Sequence, residues 1–269
     1  MIPDFTVRPG TLYAVGVGPG APDLLTLRAA HVLAGVDVLL AACSPRNDYS
    51  AALDTALPHV RPGTEIVRLA FPMTRQGDML RRAWDEAARR SLAVLESGKS
   101  AAFLTIGDPL IYSTFGYLLR EIRKKSPDQP VEIVPGITSF QAAAARACLP
   151  LCEGEQSLRV LSGINNAETL ERDLTGADTA VILKAYRNIG AIAQALRATG
   201  RDADCLVAGR VELPDERLTT LGKLNRQGEQ ERNPASDRAT PPYMTLILSP
   251  APSSSICSSR DTPSDARLD

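Results

Sequence analysis

The chain has 269 residues, 44% of them hydrophobic, and a formal net charge of −1. That suits two modest α/β domains or one large one, and it supplies no global field that would make nucleic acid the main partner. The five cysteines, Cys43, Cys148, Cys152, Cys205 and Cys257, form no C-x-x-C pair; with only His31 and His59 beside them a zinc site lacks ligands, no metal site is expected, and the pattern fits a reducing cytoplasm. Residues 1–12 have no apolar core and no apolar run reaches 18 residues, so neither a signal peptide nor a membrane span is expected.

The first predicted element is an apolar strand, Tyr13-Ala14-Val15-Gly16-Val17, that runs into Gly18-Pro19-Gly20. A glycine loop at the carboxyl end of a strand lets backbone approach a ligand where a side chain would collide. Two unrelated kinds of protein open this way, one binding dinucleotides and the other S-adenosylmethionine. Gly16, Gly18 and Ala21 fit G-x-G-x-x-A, but Pro19 and Pro22 remove amide donors that a pyrophosphate would need. The acidic residue at the right distance, Asp37, precedes the second apolar run (Val38, Leu39, Leu40) instead of closing it. A plain strand–helix turn is the simplest reading of this loop taken alone.

A helix follows, with Leu25, Ala29, Val32, Leu33 and Val36 on one face. A second helix carries a stripe of Leu80, Ala83, Trp84, Ala87, Ala88, Leu92 and Leu95 and ends at Gly98; Trp84 is placed in the core and Arg81, Arg82, Arg89 and Arg90 on a solvated face. Ala101–Thr105 reads as a buried strand ending in Ile106-Gly107-Asp108-Pro109-Leu110-Ile111-Tyr112. Residues 126–130 (SPDQP) read as a linker. The strand Val131–Val134 leads through Pro135-Gly136-Ile137-Thr138-Ser139 into an Ala-rich helix. Three strand–Gly/Pro–helix junctions would gather at the carboxyl edge of an α/β sheet, where ligands bind. In the second half, strands are expected over 158–161, 179–183, 204–208 and 243–248, and a helix from Ile189 to Thr199. Residues 225–241 read as a polar loop and 251–269 as a disordered tail.

GVGPGAPDLLTLRAA, FPMTR (71–75), GDPLIYSTF, PGITSFQAAAA, VILKAYRN and PPYMTLILS together resemble, in order and spacing from about residue 11 to residue 250, the tetrapyrrole (corrin/porphyrin) methylase family. Within it they are most similar to the subgroup that methylates C-20 of precorrin-2 or cobalt-factor II in cobalamin synthesis. The resemblance implies an α/β fold of two domains, 11–125 and 126–250, with S-adenosylmethionine in a cleft between them and a tetrapyrrole substrate. It also implies a cytoplasmic homodimer with no nucleic-acid or membrane partner, and cobalt entering only with the substrate.

Carried over motif by motif, the resemblance assigns cofactor contacts to Pro19, Ile106 (where the family has glycine), Gly107, Asp108, Ile111, Thr138, Ser139 and Lys184, the last standing where many relatives have methionine. Backbone near Val207 and Ala208 would meet the adenine. A polycarboxylate substrate calls for arginines, and Arg46, Arg75 and Arg187 lie beside the motifs. Tyr112 is placed as the residue facing the macrocycle or assisting loss of the C-20 proton, while Tyr117 is assigned to packing. A Gly-Asp-Pro run such as Gly107–Pro109 is also an ordinary turn with an Asx hydrogen bond. In methyl transfer the enzyme's main task is alignment and exclusion of water, so no Ser–His–Asp or Cys–His constellation is needed. The alternatives are methylation at another corrin carbon, a nucleotide-dependent oxidoreductase, or a ligand-binding module without catalysis.

Overall fold

A computed structural model describes residues 6–44, 49–72, 74, 76–223 and 243–250. The chain divides into two compact units. The first runs to Leu149 and takes back Ala208–Arg217; the second holds Pro150–Val207 and resumes at Leu218.

The first unit is built on five parallel strands, β1 (Leu12–Gly16), β2 (Val38–Cys43), β3 (Glu65–Ala70), β4 (Ala101–Thr105) and β5 (Val131–Val134), in the order β3-β2-β4-β1-β5. β1 and β4 are apolar throughout and buried at every position, as parallel strands covered on both faces must be. Side-chain alternation divides them between two cores. Leu12, Ala14, Leu40 and Phe103 pack on one side with α3 (Gly77–Glu96) and α4 (Phe115–Lys125). Tyr13, Val15, Leu39 and Leu104 pack on the other with α1 (Leu27–Gly35) and α2 (Ala51–Ala56). The predicted face of α1 is the buried one, with Ala29, Val32, Leu33 and Val36 fully enclosed.

Trp84 departs from its expected place. It is half-buried and stacks on Tyr117, ring centroids 4.4 Å apart and planes 9° apart, with the Arg120 guanidinium over the Tyr117 ring. Tyr117 is exposed, because the inward turn of α4 is taken by Phe115, Leu118 and Ile122. Neither ring reaches the centre of the core.

The second unit carries a mixed sheet in the order β6-β7-β10-β8-β9, formed by β6 (Leu158–Ser162), β7 (Thr179–Leu183), β8 (Leu206–Gly209), β9 (Arg217–Thr220) and β10 (Thr245–Ser249). β6 and β7 are parallel and β10 runs antiparallel to β7. Helices α6 (Ala167–Leu174) and α7 (Ile189–Ala198) bury Leu170, Leu174, Ile192 and Leu196 against Ile182, Val207 and Ile247. The predicted 225–241 loop and 251–269 tail lie outside the described residues.

The amino edges of the two sheets use the same brace. Before β2 and β4, Asp37 Oδ2 accepts the Ser100 backbone N–H at 2.9 Å and its hydroxyl at 2.7 Å, while Ser100 Oγ accepts the Asp37 N–H at 3.1 Å. Before β7 and β6, Asp178 Oδ2 accepts the Ser157 N–H at 2.7 Å and its hydroxyl at 2.8 Å, and Ser157 Oγ accepts the Asp178 N–H at 3.1 Å. Both carboxyls are held below their ordinary value of 3.8, chiefly by the serine backbone hydrogen bond. A carboxyl lowered by folding contributes stability that is complete above its ordinary value and is lost as pH falls through the lower, folded one. Asp37→Asn is therefore expected to flatten the acid limb of stability against pH, below pH 3.8, measured as urea midpoints from about pH 6 downwards. Parallel limbs for the two proteins would contradict the brace.

Candidate active site

The carboxyl edge of the parallel sheet is where three loops meet, and they meet through backbone. A Cβ on Gly16 would lie 2.5 Å from the Gly107 carbonyl oxygen and 2.7 Å from the Gly136 nitrogen. A Cβ on Gly136 would overlap the same Gly107 oxygen and lie 2.8 Å from the Gly16 carbonyl. No residue with a side chain fits at either position. The Gly107 N–H donates to the Gly18 oxygen at 2.7 Å, and the Val17 N–H to the Thr105 oxygen at 2.9 Å. Gly18 and Gly107 both take left-handed backbone, φ 75° and 73°.

Asp108 completes the junction. Its Oδ1 accepts the Leu110 N–H at 2.8 Å, the Asx turn that the sequence allows. Its Oδ2 reaches 28 residues along the chain to accept the Gly136 N–H at 3.1 Å. One carboxylate thus closes its own loop and ties it to the third loop. Thr138 caps α5 (Ser139–Arg146) through a capping box: its Oγ accepts the Gln141 N–H, and Gln141 Oε1 accepts the Thr138 N–H at 3.0 Å. That orients the first turn of α5 beside Gly107, whose Cα faces the Thr138–Ser139 backbone.

The structure therefore brings Pro19, Ile106, Gly107, Asp108, Thr138 and Ser139 to one sheet edge. Pro19 is buried within the first loop. Ile106 keeps an ordinary backbone and packs its side chain on the core under α1, so the position needs no glycine. Just beyond, Leu110, Ile111 and Tyr112 form an exposed apolar rim. Tyr112 has φ 49°, a left-handed conformation costly for an aromatic residue and found most often at functional sites.

Lys184 and Arg187 lie in the second unit, on the connection from β7 to α7. Lys184 is also left-handed, φ 58°, and its amine is pushed below its ordinary value, first by desolvation and then by the Arg187 charge. Arg187 Nε donates to the Tyr186 hydroxyl at 2.8 Å. Val207 and Ala208 are buried in β8. Arg46 and Arg75 lie outside the described residues.

Asp37 sits at the amino end of β2, next to the start of β4, and the glycine loops leave the opposite edge. A ribose-binding acid would stand at the carboxyl edge, so the geometry disfavours the dinucleotide reading.

Sequence reasoning missed what backs the first loop. Thr55 Oγ donates to the Gly20 oxygen at 3.1 Å, and His59 Nε2 lies 2.8 Å from the Pro22 oxygen. Leu213 and the Glu212 carbonyl also pack on Gly20, where a Cβ would lie 2.9 Å from the leucine side chain. The Glu212-Leu213-Pro214-Asp215 run carries a turn signal, but nothing local marks Gly20, far back in the chain, as its partner.

A parallel sheet with interlocked glycine loops at its carboxyl edge defines a ligand-binding α/β protein. The sequence model of tetrapyrrole (corrin/porphyrin) methylases matches residues 11–225. The cobalt-precorrin-2 C(20)-methyltransferase of Salmonella typhimurium is 36% identical over 240 residues, covering 89% of this chain and 96% of that one. The precorrin-2 C(20)-methyltransferase of a Sinorhizobium species is 32% identical, covering 90% and 95%. Among solved structures, uroporphyrin-III C-methyltransferase from Thermus thermophilus complexed with S-adenosylhomocysteine aligns with a TM-score of 0.60 at 25% identity, covering 89% of this chain and 92% of that one. The chain belongs to the tetrapyrrole methylase family.

The interlock predicts a contrast between glycines. Gly136→Ala is expected to destabilise the protein by about 1–3 kcal/mol or more, since the methyl has only backbone to displace. Gly116→Ala, inside α4 with nothing within 4 Å of the new Cβ, is expected to be neutral or to stabilise by up to about 1 kcal/mol. Urea denaturation of the two variants checks both; equal effects would contradict the close approach.

Proposed function

We propose that this protein transfers a methyl group from S-adenosylmethionine to C-20 of precorrin-2 or its cobalt-containing form, in cobalamin biosynthesis. The observation that carries the reading is the three-loop glycine junction at the sheet edge in a chain that matches C(20)-methyltransferases across nearly their whole length. The left-handed loop backbone at Gly18 and Gly107 and the exposed apolar rim at Ile111 and Tyr112 support the reading, the rim suiting the apolar face of a macrocycle whose carboxylates lie at its periphery.

In this reading Pro19, Ile106, Gly107, Asp108, Ile111, Thr138, Ser139 and Lys184 hold the donor. Bound there, S-adenosylmethionine supplies a methyl already activated by its sulfonium. The residues contribute alignment and exclusion of water, because the electron-rich C-20 is itself the nucleophile. As the new C–C bond forms, the S–CH3 bond breaks and the C-20 proton must leave. Tyr112 stands beside the loop that would face the macrocycle, and Arg187, with Arg46 and Arg75, would read its carboxylates.

No helix among the described residues is long and apolar enough to cross a membrane. A cytoplasmic homodimer is part of the proposal and is supported by the sequence resemblance.

The test is transfer from donor labelled with 13C at the methyl, under anaerobic conditions, to precorrin-2 and separately to its cobalt form. The expected product carries the label at C-20; label at another carbon would overturn the regiochemistry, and no transfer would overturn the reading. Tyr112→Phe is expected to lower kcat by about tenfold or more while leaving donor affinity within about twofold. Equal losses in both would remove Tyr112 from the chemistry.

A further inference from the structure

The segment Ala208–Arg217 returns from the second sheet to the first unit and backs the first glycine loop. It is an unusual piece of backbone. Arg210 and Glu212, two residues apart, are both left-handed, φ 50° and 59°, a state that persists in non-glycine residues only when the surroundings over-determine it.

Those surroundings are specific. The Arg210 N–H donates to the Met244 oxygen at 3.2 Å, and Arg210 Nε pairs with Asp215. Two successive turns follow, Leu213 N–H to the Arg210 oxygen at 3.0 Å and Glu216 N–H to the Leu213 oxygen at 2.9 Å. The Glu216 carboxylate then binds in two directions. Its Oε2 accepts the N–H of left-handed Glu212 at 2.8 Å, and its Oε1 accepts Arg146 Nε at 3.0 Å. Arg146 is the last residue of α5, the helix whose first turn carries Thr138 and Ser139. The Glu216 side chain is 16% exposed, against 54% for Arg146.

From this arrangement we infer that Glu216 is a positioning residue for the donor site. It fixes the strained Arg210–Glu212 turn, which presses Leu213 and the Glu212 carbonyl onto Gly20, so the first loop is set from behind. The inference rests on the reading of that loop as the S-adenosylmethionine site. The two oxygens contribute unequally. The bond to the Glu212 N–H is enclosed and fixes a strained residue, whereas the ion pair with half-exposed Arg146 is of the kind that contributes little.

The test measures S-adenosylhomocysteine affinity by calorimetry together with KM for S-adenosylmethionine and kcat, on full-length protein well below each variant's Tm. Glu216→Ala is expected to weaken the affinity and raise KM by about tenfold with kcat within about threefold, as loss of a hydrogen bond to a charged acceptor implies. Glu216→Gln keeps an oxygen for the Glu212 N–H and is expected to stay within about threefold of the original. Should Glu216→Ala fail to fold, Leu213→Ala carries the test, because it removes the side chain against Gly20 and is expected to weaken S-adenosylhomocysteine by about tenfold. A lower Tm with affinity within about twofold for these variants would overturn the positioning role while leaving the site assignment standing. No binding by the unaltered protein would overturn both.

Discussion

The constraint on which the rest of the first unit depends is the contact of three backbones at Gly16, Gly107 and Gly136. They come closer than any side chain would allow, and that closeness brings the ends of β1, β4 and β5 into one surface. Everything assigned to ligand binding in this unit is fastened to that contact. Pro19 follows Gly18, whose oxygen accepts the Gly107 N–H; Asp108 is next to Gly107, and Thr138 stands just beyond Gly136. Asp108 shows how tightly the junction is made. Its carboxylate is engaged by the amides of Leu110 and Gly136, so it acts first as a brace between loops.

The two edges of the parallel sheet divide the work. At the amino edge, Asp37 and Ser100 lock neighbouring strand starts with reciprocal hydrogen bonds, and neither residue is left-handed. At the carboxyl edge the backbone is left-handed at Gly18, Gly107 and Tyr112. The returning segment adds two more strained residues, Arg210 and Glu212, held by Asp215 and Glu216. Left-handed non-glycine residues such as Tyr112, Arg210 and Glu212, the last two held by hydrogen bonds, are of the kind found where a fold presents backbone to a ligand.

Much of this was legible in the sequence because the central strands are fully buried. LYAVG, AAFLT and TLILS read as strands without reference to any partner, and the stripe of α3 ends where Gly98 takes φ 83°. Of the edge strands, β5 and β6 were read from the sequence and β3 and β9 were not. β3 (EIVRLA) and β9 (RLTT) are largely exposed, so their composition carries no core signal. The short helix α2 (AALDTA) has only 6 residues, too few for a period to show. At the site, the glycine loops could be read as loops, but their interlock could not, because it joins Gly16, Gly107 and Gly136, which lie far apart in the chain. The same distance in sequence hid the bonds of Glu216 to Arg146 and of Asp108 to Gly136.

The three loops are proposed to form a single donor site. Hydrogen–deuterium exchange with and without S-adenosylhomocysteine tests it most directly. Amides of 16–20, 106–112 and 136–139 are expected to gain protection together, with the amino-edge brace at Asp37 and Ser100 unchanged. Protection of one loop alone, or protection elsewhere with these three unaffected, would contradict it.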